Sequence, residues 1–299
     1  MTEGVTSATS VPARPMARAR SPFRLAMGRF AARPAALLGL ALVALVVGAA
    51  VFARLIAPIG PTAADWSAIR LAPSAAHWFG TDEVGRDEFA RVVFGARASL
   101  LAGVVSVLIA SAIGVPAGIL AGVAGGWTDA VLSRIVDAML AIPFLILAIA
   151  LAAFLGPNLR NAMIAIGITT APVLMRVARA ATLDVMTQDY IEAARALGNP
   201  PWRLALRHVV PNILPPLLVQ STLAIASAII AEASLSFLGL GEQPPTPSWG
   251  SMLNAAQQFL TQSPWLATFP GLAIFLTVLG FNLVGDGLRD ALDPRRAGR

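Results

Sequence analysis

Asp189-Tyr190-Ile191-Glu192-Ala193-Ala194-Arg195-Ala196-Leu197-Gly198-Asn199-Pro200-Pro201-Trp202-Arg203 is a polar island between two apolar intervals. Residues 184–197 favour a helix, with Glu192 and Arg195 one turn apart on the same side. Gly198 suits the left-handed position that closes a helix. Pro200 and Pro201 can open a second one, where a missing N–H costs nothing. The stretch therefore reads as a short helix, a tight corner and another helix that leads through His208 and Pro211 into the next apolar interval. A compact helix with small Ala193 and Ala194 beside a charge has the form of a segment that lies in a groove of another protein.

Working outward, the charges mark the lengths of the apolar segments. Residues 34–53, 98–128, 138–159, 161–175, 208–231 and 243–285 carry no charge. A membrane-crossing helix needs about 20 predominantly apolar residues. The interval 161–175 is short, but Arg176 and Arg179 can snorkel from its end. The last interval opens with Pro244-Pro245-Thr246-Pro247-Ser248-Trp249-Gly250, too polar and kinked for lipid, so its span is placed at about Trp265–Gly285. The pattern predicts an all-α membrane protein with six transmembrane helices. It divides into a basic tail (1–34), a first transmembrane helix (35–57), an extracytoplasmic segment (58–97), a core of five further spans (98–285) that includes the polar loop 184–210, and a C-terminal tail (286–299).

Composition agrees. Charged residues are 13% of the 299, against about 25% in an ordinary soluble domain. Apolar residues are 57%, and mean hydropathy is +0.72. All 22 basic residues are Arg; there is no Lys, no Cys, and only His77 and His208. A phosphate-binding P-loop needs its Lys, a Schiff base needs an amine, and zinc or iron–sulfur centres draw on Cys and His clusters. The expectation is a chain with no catalytic residue, no cofactor and no metal of its own. The pI near 11.4 does not indicate nucleic acid, because the Arg residues lie between long apolar runs. Sixteen of the Arg residues fall in the N-terminal tail, the loop after span 2, the segment after span 4 and the C-terminal tail. The positive-inside rule then puts both termini in the cytoplasm.

Three blocks of residues support a family. Glu192-Ala193-Ala194, Gly198 and Pro211 follow the E-A-A-x-x-x-G…P loop of the membrane subunits of binding-protein-dependent ABC importers. His208 stands where that pattern usually has Ile, and Arg207-His208-Val209-Val210-Pro211-Asn212 resembles the peptide and nickel importer group. Phe79-Gly80-Thr81-Asp82-Glu83-Val84-Gly85-Arg86-Asp87 with Gly95–Leu100, and Ser236–Gly241 with Pro244–Gly250, resemble the second, C-type permease of dipeptide and oligopeptide systems. The resemblance covers about Phe23 to Pro294 and implies the type I permease fold in a bacterial or archaeal inner membrane. It implies as partners a homologous second permease, two ATP-binding subunits holding ATP and Mg, an extracytoplasmic substrate-binding protein and the bilayer, with no nucleic acid. It also implies that Tyr190, Glu192, Ala193, Ala194, Arg195, Leu197, Gly198, His208 and Pro211 form the loop that couples to the ATPase. A peptide cargo is favoured over nickel by this resemblance alone.

The remaining candidates carry competing readings. Asp82, Arg86, Asp87, Pro245 and Trp249 are candidates for contact with the receptor or for an outer gate; an interfacial helix that orders the entrance to span 2 accounts equally for the Gly80–Arg97 block. Asp137 and Glu232 raise a proton-coupled secondary transporter, but each lies near an interface where water or an Arg such as Arg134 can satisfy it. An intramembrane enzyme needs convergent catalytic groups, and none is apparent. Gly103, Ser106, Ala110, Gly114, Ala117, Gly118 and Gly122 form a stripe of small residues that suits close helix packing. Pro116, Pro143 and Pro172 are expected to kink spans 2, 3 and 4.

Overall fold

The computed structural model describes residues 22–292; most of the two terminal tails lies outside the described residues. The described chain is almost entirely helical. An amphipathic α1 (Pro22–Ala31) precedes α2 (Pro34–Val51), whose Pro34 takes the first-turn place where proline is tolerated. The first span is not one continuous helix. It breaks at Phe52 before a single turn, α3 (Ala53–Ile56).

α4 (Glu88–Ala124) has 37 residues, roughly 55 Å at 1.5 Å per residue, and begins ten residues before the predicted span. Asp87 caps it, its carboxylate accepting the Ala90 N–H at 2.8 Å. The expected third span, 138–159, is not a straight crossing. α5 (Gly126–Leu140) and α6 (Phe144–Leu155) meet at 89° around Pro143. Pro143 lacks the N–H a continuous helix needs there, so it breaks the segment rather than kinking it.

α7 (Leu159–Met186) is a 28-residue helix, so the fourth span is not the short 161–175 segment. Arg176 and Arg179 lie inside it, paired with Asp137 at 2.6 Å and with Asp129. Asp137 is thus held by Arg176 from another helix, not by neighbouring Arg134. α8 (Asp189–Ala196), α9 (Pro201–Leu204) and a π turn (Ala205–Val209) lead into α10 (Val210–Phe237). α11 (Trp249–Ala256) and α12 (Trp265–Leu292) complete the described residues. Among the described residues five helices are long and apolar enough to cross a membrane, six if the bent pair counts as one span.

The small-residue stripe is the packing seam of the molecule. A Cβ at Gly114 would lie 2.4 Å from the Ala171 carbonyl oxygen, one at Gly118 2.5 Å from that of Met175, and one at Gly122 2.5 Å from Thr182 Cγ2. Residue numbers rise together along the contact, so α4 and α7 are parallel, with backbones closer than any larger side chain allows. α10 runs antiparallel to them, Ile229 against Gly103. α12 runs back along α2, with Gly287 against Ala36 and Gly280 against Gly39. The described ends of the chain and the α7–α10 connection therefore share one face, and the 58–87 and 238–264 segments share the other.

Candidate coupling site and the opposite face

The polar island folds as its residues require. α7 ends where Thr187 Oγ1 and Gln188 Nε2 donate to the Asp184 carbonyl. α8 is closed by two capping bonds: Asn199 N–H to the Ala194 carbonyl at 3.3 Å and Gly198 N–H to the Arg195 carbonyl at 2.9 Å. This 6→1 and 5→2 pair is the Schellman arrangement, and Gly198 sits at the φ of +78° it demands. The Asn199 side chain adds a bond from Nδ2 to the Ala194 carbonyl at 2.9 Å. Pro200 then caps α9 and Pro201 opens it.

α8 is amphipathic. Ile191 and Ala194 are buried within the chain, while Glu192, Ala193 and Arg195 are exposed with Leu197, which is 85% exposed. Of the small pair in the motif, only Ala193 faces outward; Ala194 faces in and its carbonyl is tied up in the cap. Tyr190 is 45% exposed and its hydroxyl accepts Asn212 Nδ2 at 3.3 Å. Its ring lies 6.1 Å from that of His208, whose carbonyl also accepts Asn212 Nδ2, at 2.7 Å. Pro211, exposed, occupies the first turn of α10. Tyr190, His208 and Asn212 thus join the small helix to α10. Sequence reasoning missed Asn212, which only the folded corner brings to Tyr190.

On the opposite face the candidate receptor residues are mostly internal. Asp82 is buried: its Oδ1 accepts the N–H groups of Val84 and Arg86 at 3.0 and 2.9 Å, and its Oδ2 pairs with Arg86 Nε at 2.6 Å and Arg91 Nε at 3.3 Å. Asp87 is buried against His77 Nδ1 at 2.9 Å besides capping α4. Arg86 bridges Asp82 and Glu83. These side chains hold the 58–87 segment on itself and offer little to a receptor. Gly85 shows how tightly: its φ is +79°, and a Cβ there would lie 1.8 Å from the Asp65 carbonyl oxygen. Trp249 is 1% exposed, its Nε1 donating to the Val92 carbonyl at 2.9 Å. It anchors the outer segment to α4 and has no surface for a receptor. Pro245 alone of the five is exposed.

Glu232 is fully buried, and its partners are serine hydroxyls, not Arg134 or another Arg. Ser99 Oγ donates to its Oε2 at 3.1 Å and Ser236 Oγ to its Oε1 at 2.7 Å. It therefore ties α10 to α4 beneath α11. Outside the spans, Glu242 is half-buried, and this burial holds its carboxyl above the usual range.

This arrangement is a packed bundle of apolar helices long enough to cross a membrane, with an exposed two-helix corner on one face and a stapled cap on the other. The chain belongs to the family described as binding-protein-dependent transport system inner membrane component, whose model matches residues 114–298. Residues 21–73 match the N-terminal TM domain of oligopeptide transport permease C, which places the chain among the C-type permeases of that family. It is similar to the dipeptide transport system permease protein of Alkalihalophilus pseudofirmus, 45% identical over 92% of this chain and 90% of that one. It is similar also to the probable D,D-dipeptide transport system permease of Escherichia coli, 50% identical over 83% and 84%, and to the glutathione transport system permease of Pectobacterium atrosepticum, 43% identical over 92% of each. In fold it resembles a chain of the inward-facing MetNI methionine ABC transporter, with TM-score 0.58 over 69% of this chain and 97% of that one.

Proposed function

We propose that this chain is one of two permease subunits of an ATP-driven importer of dipeptides or short oligopeptides. The peptide cargo is taken from the dipeptide and glutathione systems to which it is similar. The partners are a second permease, two ATPase subunits that hold ATP and Mg, and an extracytoplasmic binding protein. Both termini and α8 face the cytoplasm, as the distribution of Arg residues favours. The observation that carries the reading is the α8 corner. Ile191 and Ala194 anchor it from beneath, the Gly198 cap fixes its end, and Tyr190, Glu192, Ala193 and Leu197 are left outward for an ATPase groove. Nucleotide binding drives transport through contacts with α8 that differ between the inward and outward states.

The chain has no Cys, so Ala193→Cys gives a single thiol on that outward face. Cross-linking in assembled vesicles is expected to join it to an ATPase subunit, with a yield that changes on adding ATP. Gly198→Pro forces a φ near −65° where +78° is needed, and Glu192→Ala removes the exposed charge. Both are expected to weaken co-purification of the ATPase while membrane insertion persists. Full association in both variants, or uptake by the purified chain alone in liposomes, overturns the proposal. Uptake of nickel and not of dipeptide changes the cargo and leaves the coupling role in place.

A further inference from the structure

Two cavities meet at a pair of side chains on α10. The first, of about 370 Å³, lies where the α5–α6 break exposes Pro143 to α7 and α10, and Thr169, Thr170, Gln220 and Ser227 supply its polar atoms. The second, of about 540 Å³, continues from Gln220 along Pro216, Pro215 and Asn212 toward Arg289, on the face that carries α8. Gln220 and Leu223 line both. Gln220 stands 13 residues after Arg207 and 12 before Glu232, midway between the charges that bound its apolar interval.

The other polar side chains of the first cavity are spent on their own helices. Thr169 donates to the Ala165 carbonyl at 2.9 Å, Thr170 to that of Ile166 at 2.7 Å, and Ser227 to that of Leu223 at 3.3 Å. The Gln220 amide has no hydrogen-bond partner among the described residues. A primary amide in a mostly apolar cavity without a partner is costly. A peptide bond offers what it lacks, one N–H donor and one carbonyl acceptor in a plane, matching the amide's acceptor and donors. Such a contact ignores the cargo's side chains, and the first cavity has no charged lining residue to trap the peptide's ends. The volume falls within the ~300–1,000 Å³ of small-ligand sites.

We propose that Gln220 binds the peptide backbone of the cargo at the middle of the translocation path, the one polar station between the two cavities. This rests on the reading of the chain as a peptide permease. The test uses the whole complex in proteoliposomes with saturating receptor, comparing a dipeptide with its counterpart methylated at the peptide nitrogen. Gln220→Leu is the main variant, with Gln220→Met as a second apolar one of similar length. The expected result is that both variants slow the ordinary dipeptide about tenfold, the value of one hydrogen bond in a site shielded from water. The methylated cargo, which keeps only its carbonyl for the amide, is slowed less than the ordinary dipeptide. The receptor's own preference between the cargoes cancels, because it is the same for every permease variant. Equal slowing of both cargoes, slowing of neither, or loss of the partner permease on purification overturns the assignment, the last by making the amide a subunit contact. A wild-type complex that takes up no peptide instead overturns the peptide reading on which the assignment stands.

Discussion

Replacing Trp249 by Ala separates an anchor from a receptor contact. The indole is 1% exposed, packs among Val92, Ala96, Ile229 and Met252, and donates to the Val92 carbonyl at 2.9 Å. It lies over Gly95, where even a Cβ would sit 3.3 Å from Trp249 Cδ1. α11 has only eight residues, well short of the ~12–15 an isolated helix needs. Its Ser248–Ser251 capping box and the Asn254 Nδ2 bond to the Phe237 carbonyl at 2.6 Å hold its ends, but its burial comes chiefly from Trp249 and Met252. Truncating a buried Trp to Ala costs about 3–5 kcal/mol. At about 1.4 kcal/mol per factor of ten, local opening of the outer segment becomes about a hundred- to a few thousand-fold more frequent. Hydrogen exchange on the assembled complex is expected to show this as lost protection confined to residues 249–256, with α4 and α7 unchanged. Unchanged protection of that segment, together with loss of receptor-stimulated ATP hydrolysis, would refute the packing argument and restore Trp249 as a receptor contact.

Two further outcomes follow from the packing. Gly118→Leu places a side chain where a Cβ alone would lie 2.5 Å from the Met175 carbonyl oxygen and 2.6 Å from Ala178 Cβ. It is expected to destabilise the α4–α7 seam by about 1–3 kcal/mol or more. Gly48→Leu, at a site with nothing within 4 Å, is the neutral control, and thermal midpoints in detergent report both. Glu232→Gln keeps acceptors and donors for Ser99 and Ser236, so peptide uptake and its pH dependence are expected to match wild type. Abolished uptake in that variant would put the carboxyl into the transport chemistry, as a proton-coupled carrier requires.

The parts of the fold legible in the sequence are those set by local chemistry. Gly198 and the Pro200-Pro201 pair gave the α8 corner because a left-handed cap and a proline at the start of a helix are properties of single positions. Trp265 opens α12 where the polar, proline-rich stretch before it made a span begin. Charge intervals misjudged helix ends wherever a charge had a distant partner. Arg176 and Arg179 sit within α7 because Asp137 and Asp129, 39 and 50 residues earlier, return to meet them across the bend at Pro143. Glu88 and Arg91 join α4 because the 58–87 segment folds over them, and Asp82 pairs with Arg91 there. Of the candidate site, the corner itself was legible, but the inward turn of Ala194 and the burial of Asp82, Asp87 and Trp249 depend on which helix lies beside them. Periodicity within one segment carries no information about that neighbour.

The same neighbours explain how a push on α8 can reach the centre of the bundle. α10 is bonded at its first turn to the corner through Asn212 and Tyr190, and near its far end to α4 through Glu232 and Ser99. Between these points its backbone is weak in one place: Pro215 and Pro216 remove the N–H groups that would bond the carbonyls of Pro211 and Asn212. Just before α10, the π turn at Ala205–Val209 also departs from regular hydrogen bonding. Bending costs least where such bonds are already missing. The far half is held by the buried carboxyl and by Ile229 against Gly103, so a displacement of the near half is absorbed at the proline pair and not passed on as a rigid tilt. One turn beyond that pair stands Gln220, between the two cavities. On the proposed coupling role, movement of α8 is expected to change the spacing of the two cavities at that amide before it disturbs the cap on the opposite face.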